Sequence, residues 1–321
     1  MMAMSKPSET AVAAPDLAPA PTPVPAAAPV RPVTVPFWSR LSARFDDFVA
    51  PPTPAVAVEF AAGHLAVGRQ GGSIQVRALP SGAVVASAVR VNLSDPSGLA
   101  AQLRSLLEAA GGADAAVTLL LPDLTARMSV LDFDVLPAHR QEIDALARFR
   151  LRKSLPFADE QAVISSQVLS PTRLLVTVAD RARVNEYENC LEAAGARAVT
   201  VIPSGLACLA AQPVLDHGAL LIRAESACLT TAFCLHGKVE FFRAIELSAP
   251  ASFEDVFPSV AFFRDRAGHD HGGADDAPLL LAGANADLEA RLREEIPWAQ
   301  VRVLPAAGEL AVAGALRGRF A

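Results

Sequence analysis

From Ala55 onward, short apolar runs bounded by turn residues alternate with stretches in which apolar positions recur three and four apart. The first pattern predicts strands and the second helices. "AVAVEF" at Ala55 predicts a strand, and Gly63 leads from it into two more, "HLAVGRQ" and "SIQVRAL". "DPSGLAAQLRSLLEAAGG" predicts a helix with Asp95 or Ser97 at its cap and Gly111 beyond its end. "AVTLLLP" predicts a buried strand, and Leu131, Phe133 and Val135, alternating with Asp132 and Asp134, predict a half-exposed one. A helix follows over Ala138 to Lys153, stopped by Pro156, with Ile143, Leu146, Ala147 and Leu151 as its apolar stripe. "RLLVTVAD" predicts a strand, "RVNEYENCLEAAG" a helix ended by Gly195, "AVTVI" a strand, and "SGLACLAAQ" a helix with Ser204 as its cap.

The second half repeats the opening plan. The strand beginning at Leu220 runs through a small-residue turn into Leu229 to Leu235, then through His236-Gly237 into Val239 to Ile245. "SFEDVFPSVAFFRDR" predicts a mostly helical stretch, "GHDHGGADDA" a loop, "PLLLAGA" a strand, "DLEARLREEI" a helix, "VRVLP" a strand and "GELAVAGALRG" a last helix. Strands alternating with helices, with one strand-turn-hairpin plan used near Val56 and again near Leu220, give an α/β protein with mixed sheets.

The front of the chain follows neither period. Residues 1 to 36 are nearly all Pro, Ala, Val, Ser and Thr and hold nine of the 25 prolines, so a disordered tail is expected there. In 37 to 50, Phe37, Leu41, Phe45 and Phe48 fall on one helical face with Trp38 beside them, and Arg40, Arg44, Asp46 and Asp47 fall outside it. That spacing predicts a short amphipathic helix ended by Pro51-Pro52, which either packs on its own domain or docks on a partner or a membrane. Two Arg and two Asp on its polar face give little attraction to anionic lipid.

Composition narrows the function classes. A chain of 321 residues with net charge -6 lacks the basic footprint of a nucleic-acid binder. No apolar run reaches the ~18 to 20 residues that span a bilayer, and no signal-peptide pattern opens the chain, so a cytoplasmic protein is expected. Cys190, Cys208, Cys228 and Cys234 lack CxxC spacing and suit reduced core thiols. Adjacent His269, Asp270 and His271 on a Gly-rich stretch lack the spaced geometry of a metal centre. Neither GxGxxG nor GxxxxGK[ST] occurs. No metal, cofactor or catalytic set is expected. Arg148, Arg150, Arg152 and Lys153 crowd one helix, either as a solvated face or as a partner-facing patch.

The order of these segments resembles the PilM family of actin-like proteins of type IV pilus assembly, relatives of the division protein FtsA. "LPDLTARMSVLDFDVLP", "EIDALARFRLRKSLPFADEQAVISSQVL" and "RLLVTVADRARVNEYENCLEAAGARAVTVIPSGLACLAA" carry the resemblance through the first half, and "GKVEFFRAI" and "LLLAGANADLEARLREEI" through the second. It implies an actin-like (ribonuclease H-like) two-lobed fold with a small inserted subdomain and a reduced second lobe. The first lobe then covers 54–114 and 171–212, the insert 115–170 and the second lobe 213–321. It also implies that the protein binds the N-terminal cytoplasmic peptide of PilN, an inner-membrane protein, in a groove between the first lobe and the insert. Arg148 and Arg152 on the insert's helix are the residues expected to act on that peptide. Contact with pilus motor ATPases, peripheral membrane association and self-association belong to the same expectation.

The departures from the family concern nucleotide. Glu59 and Ala61 stand where actin-like proteins place Asp and small phosphate-admitting residues, Ala66 where the family commonly has Lys, and Arg223 and Glu225 in the second hairpin where an Asp and a Gly turn are usual. Gly283 alone keeps the family's turn near the adenosine. A cation about 5 Å from magnesium costs about 3 kcal/mol per unit charge at an effective dielectric near 20; the alternative has Arg223 pairing with a phosphate. The interval Glu246 to Ala277 is too short for the subdomain that closes over adenine, so a scaffold without nucleotide is expected. Two rivals remain: a cytoplasmic GspL-like component of a type II secretion system, and a still nucleotide-binding actin-like ATPase. The first is normally continued by a transmembrane helix, and the run of the sequence to Ala321 weighs against it. The missing acidic phosphate-site residues weigh against the second.

Overall fold

The structure, a computed structural model, describes residues 54–212, 218–235, 237–271, 278–283 and 286–317. The tail 1–36 and the helix expected over 37–50, with Phe37, Trp38, Leu41, Phe45 and Phe48, lie outside the described residues, as does His236.

The first sheet contains β1 (Val56–Ala61), β2 (His64–Arg69), β3 (Ile74–Ala78), β4 (Ala116–Leu121) and β8 (Arg197–Pro203), in the order β3-β2-β1-β4-β8. The hairpins are antiparallel, while β1, β4 and β8 run parallel. All six residues of β1 are buried, because helices cover both faces of the sheet. On the outer face lie α1 (Pro96–Ala109) and α3 (Arg181–Ala193), around a core that includes Val58, Phe60, Leu103, Leu119 and Tyr187. Asp95 caps α1 by accepting from Gly98 N at 2.9 Å, and Pro96 occupies the first turn, where its missing N–H costs nothing.

The second sheet repeats the first. β9 (Ala219–Glu225), β10 (Cys228–Leu235), β11 (Lys238–Glu246), β12 (Pro278–Ala282) and β13 (Gln300–Val303) take the order β11-β10-β9-β12-β13. α5 (Phe253–His271) and α6 (Ala286–Glu295) cover its outer face around Ile222, Phe233, Val260, Phe263 and Leu281. A third core joins the lobes: Ala57, Ala66 and Leu120 from the first sheet meet Leu221, Ala232 and Leu280 from the second through α4 (Ser204–Ala210) and α7 (Ala307–Arg317). These two helices approach so closely that a side chain on Gly314 would collide with the Ala207 carbonyl. α7 thus returns to the inner face of the first lobe rather than extending the second.

Between β4 and α3 stands a small three-stranded sheet, β5 (Ala126–Asp132), β7 (Arg173–Asp180) and β6 (Ala162–Ser170), in the order β5-β7-β6, covered by α2 (Arg140–Leu151). Its core holds Ile143, Ala147, Leu151, Leu174 and Val176. This places the insert over 126–180. β4 belongs to the first-lobe sheet, and β7, expected in that lobe, is the insert's central strand. Arg173 ties the insert to the second lobe, reaching Glu240 on β11 as well as Asp132 at 3.0 Å.

Local expectations shift in four places. The half-exposed strand is Ala126–Asp132; Phe133 and Leu136 lie past its end, bonding by their amides to the Thr172 and Pro171 carbonyls. β6 was not foreseen. The stretch expected as a loop from Gly268 is helical to His271, and 272–277 lie outside the described residues. Ser204 is the first helical residue of α4 rather than its cap, and its buried hydroxyl has no hydrogen-bond partner.

Candidate functional site

The two hairpin turns, Ala61 to His64 and Glu225 to Cys228, face one another across the lobes, and the turn after β4 enters between them. Glu59 on β1 and Arg223 on β9 meet there: Nη2 of Arg223 donates to Glu59 Oε1 at 2.6 Å and to Glu225 Oε1 at 2.7 Å. Its Nη1 donates to Asp123 Oδ2 at 3.1 Å. Side-chain exposure is 1% for Arg223, 0% for Glu59 and Asp123, and 13% for Glu225, so the pairs are screened little by water.

Asp123 is the node of the cluster. It heads the turn Asp123–Thr125 between β4 and β5 and accepts from Gly205 N at 2.7 Å and from Thr230 Oγ1 at 2.6 Å, besides Arg223. One carboxylate therefore satisfies a first-turn amide of α4, a hydroxyl of the second lobe and a guanidinium. Gly205 leaves room for this: a Cβ there would lie 2.8 Å from Asp123 Oδ2 and 2.9 Å from Thr230 Cγ2.

His64, first residue of β2, sets Nε2 3.3 Å from Glu59 Oε2 and packs its ring on the first turn of α7, where a Gly308 side chain would collide with it. Burial alone would push the His64 pKa down; the hydrogen bond and charge of Glu59, with the charge of Glu225, outweigh burial and Arg223 and raise it. Desolvation raises the Glu225 pKa, and Glu59 adds to the rise although Arg223 opposes it. Arg223 itself is held well above its ordinary value, because the surrounding carboxylates outweigh desolvation. Three carboxylates face one guanidinium, and a protonated His64 offsets part of the surplus.

Glu59, His64 and Glu225 bring potential ligand atoms within 4.8 Å of one another, the one such metal-competent group among the described residues. Arg223 already supplies a cation to both carboxylates. Beside the cluster a cavity of ≈ 470 Å³ is lined by Gly63, Leu79, Val85, Leu124, Glu225 and Glu246, among others, and by no Lys or Arg. Its walls are mostly aliphatic, with Asp123, Glu225 and Glu246 as the charged groups and Ser81 and Ser226 as the hydroxyls.

Of the positions singled out in the sequence, the structure brings together Glu59, Arg223 and Glu225. Ala61 and Ala66 are buried within the first hairpin, Ala66 opposite Glu59 in the β1–β2 register. Gly283 ends β12 at φ +69, next to Ala282, which pairs with Arg223. Arg148 and Arg152 have different partners within the chain. Arg148 Nη1 donates to the carbonyl and the carboxylate of Asp159, both at 2.8 Å, and so pins the turn 159–161 to α2. Arg152 lies 5.7 Å over the ring of Phe149, which is 68% exposed. Sequence reasoning missed Asp123, Thr230, Gly205 and His64.

No family model matches the chain, and no curated protein matches it. Solved structures do share the fold. The PilM-PilN type IV pilus biogenesis complex aligns with a TM-score of 0.63 at 16% identity, over 84% of this chain and 99% of that one. A protein of actin-like ATPase fold from Bacteroides thetaiotaomicron aligns at 0.51 and 10% identity, over 84% and 98%. The cytoplasmic domain of EpsL, an inner-membrane component of the type II secretion system of Vibrio cholerae, aligns at 0.51 and 12%, over 81% and 94%. The chain has the actin-like fold, two lobes with a small insert.

Proposed function

We propose that this chain is a non-catalytic cytoplasmic scaffold of a type IV pilus assembly machine, seated at the inner-membrane face. There it binds the N-terminal cytoplasmic peptide of a PilN-like inner-membrane protein. The observation that carries the non-catalytic part is Arg223, whose buried guanidinium lies at the base of the two hairpin turns and is held by carboxylates of both lobes. A nucleotide phosphate placed there would meet Glu59, Asp123 and Glu225. The fold shared with PilM of the pilus complex supports the choice of machine. Among the described residues no helix is long and apolar enough to cross a membrane, and in this reading the PilN-like partner holds the chain at the membrane. The likeness to the EpsL cytoplasmic domain supports a second reading, a cytoplasmic component of a type II secretion system.

On the insert, Phe149 and Arg152 offer an exposed apolar ring under a guanidinium, a pair suited to an extended peptide with an apolar anchor. Titrating a labelled N-terminal peptide of the PilN-like protein against wild type and the double variant Phe149→Ala, Arg152→Ala tests this. Binding should weaken at least tenfold with an almost unchanged melting temperature, since exposed changes shift stability by less than ~0.5 kcal/mol. Absence of binding by wild type removes the pilus reading. The nucleotide part is tested with millimolar MgATP: a ligand at 100 times its Kd stabilises by about 2.7 kcal/mol, and a rise of melting temperature absent with pyrophosphate alone would overturn it.

A further inference from the structure

The charge cluster joins bodies, not neighbours on one element. Glu59 comes from β1 and Asp123 from the turn after β4, in the first lobe; Arg223 and Glu225 come from β9 and Thr230 from β10, in the second. Asp123 also leads directly into β5, so the same carboxylate that accepts from Arg223 anchors the point where the insert leaves the first lobe. We infer that Arg223 is a built-in ligand: its guanidinium takes the cation position between the lobes and holds the cleft at one closure, with the root of the insert fixed, without any bound molecule.

Three features support a cation position rather than a chance ion pair. Each of the two Nη atoms is used, and the three acceptors belong to three different segments. Glu59, His64 and Glu225 keep ligand atoms within 4.8 Å of one another, a spacing a small cation can bridge. The acid surplus around Arg223 means that withdrawing its charge leaves three carboxylates facing one another with His64 alone as a counter-ion, which low-dielectric surroundings penalise heavily. The geometry thus fixes the lobes electrostatically in a fold whose two lobes are otherwise joined through the α4 and α7 core.

This deepens the scaffold reading by naming what takes the place of nucleotide, and it is tested apart from it, because peptide titration reads the partner while amide exchange reads the cleft. In the full chain, native-state hydrogen exchange is followed in 203–210 and 226–235, which flank the cleft, with α1 as the reference. Arg223→Ala should exchange at least tenfold faster in the two cleft segments and unchanged in α1. Millimolar methylguanidinium or Mn²⁺ should slow that exchange again in the variant and leave wild type as it is. Cleft exchange as slow as in wild type overturns the inference, and so does accelerated exchange that neither cation reverses, since the loss would then be one of packing. If Arg223→Ala does not fold, Glu225→Gln decides. It keeps the side-chain shape and should speed cleft exchange several-fold, and an unchanged rate or an increase spread over the whole chain overturns the idea.

Discussion

The β1–β2 and β9–β10 hairpins are one device used twice. Ala61 pairs with His64 and Glu59 with Ala66 in the first; Glu225 pairs with Cys228 and Arg223 with Thr230 in the second. Each leading strand then runs parallel to the next strand of its sheet, Val58 beside Leu119 and Ile222 beside Leu281. Position by position, Glu59 matches Arg223, Ala61 matches Glu225, His64 matches Cys228 and Ala66 matches Thr230. The backbones agree, and the side chains that face across the cleft are complementary: acid against base, small against acid. Two copies of one scaffold have been closed on each other by their differences. The apolar residues that build each sheet leave these few positions free to vary, because the positions meet the other lobe and not their own core.

The largest expected effect tests the asymmetry of the pair Glu59–Arg223. Arg223→Met removes the guanidinium of the cluster and leaves buried Glu59, Asp123 and Glu225 with His64 alone to offset their charge. Breaking a buried pair in this way costs about 3–5 kcal/mol. Glu59→Gln removes one of three acids and leaves Arg223 with Asp123 and Glu225, so it should cost clearly less. Denaturant unfolding of both variants checks the order. Equal losses would mean that the two halves contribute alike and that the surplus of acid has no consequence.

How far this was legible from sequence depends on where each contact comes from. The strands of both lobes were legible because β1, β4, β9 and β12 are mostly apolar runs buried on both faces, interrupted at few positions such as Glu59 and Arg223. The insert was read less well. The alternation at Leu131, Phe133 and Val135 outlasts the ladder, since Phe133 packs on the insert's core after β5 has ended, and "AVISSQVLS" mixes polar residues into a strand covered on one face. Glu59, Arg223 and Glu225 stood out as odd residues in familiar turns. Asp123 did not, because its partners Gly205, Arg223 and Thr230 lie 82, 100 and 107 residues away and no spacing announces them. Its one signal is an acid one proline beyond the end of a nearly apolar strand, in "LLLPDLT".

The next effect concerns the fit of the second hairpin against α4. Gly205→Ala would press a methyl group on Asp123, on Thr230 at 2.9 Å and on Phe242 at 3.0 Å. Overpacking of this kind costs about 1–3 kcal/mol, and here it should also loosen the Asp123 bond to Thr230. A stability equal to wild type would show that the second hairpin yields easily and that the cluster is less fixed than its distances suggest.

A smaller effect separates His64 from its counterpart Cys228. Glu59 and Glu225 hold the His64 pKa above its ordinary value of 6.5, against burial and Arg223. A raised folded-state value means that the proton stabilises the fold. That stability is complete below pH 6.5 and is lost as pH rises through the folded-state value. Glu225, also raised, acts in the same direction from the carboxylate range upward. Stability should therefore decline from mildly acidic pH through neutrality, and His64→Gln should flatten the part above pH 6.5. Cys228, pushed up to about 12 mainly by burial, should add nothing to the slope there. A wild-type profile that is flat or rising in that range would remove His64 from the cluster's charge balance.

The smallest effect asks whether the first turn still needs its glycine. Gly63 matches Ala227 in the second hairpin, its φ is not positive, and a Cβ built on it meets nothing within 4 Å. Neither backbone strain nor close approach within this chain explains its presence. Gly63→Ala makes the two turns alike and removes conformational freedom from the unfolded chain, so stability should rise by about 0.4–1 kcal/mol or stay within that margin of wild type. Cleft exchange should not change, because Gly63 donates nothing to Arg223, Glu59 or Asp123. A loss of stability instead would mean that the turn is held in a shape only glycine adopts, and the match between the two hairpins would then stop at their strands.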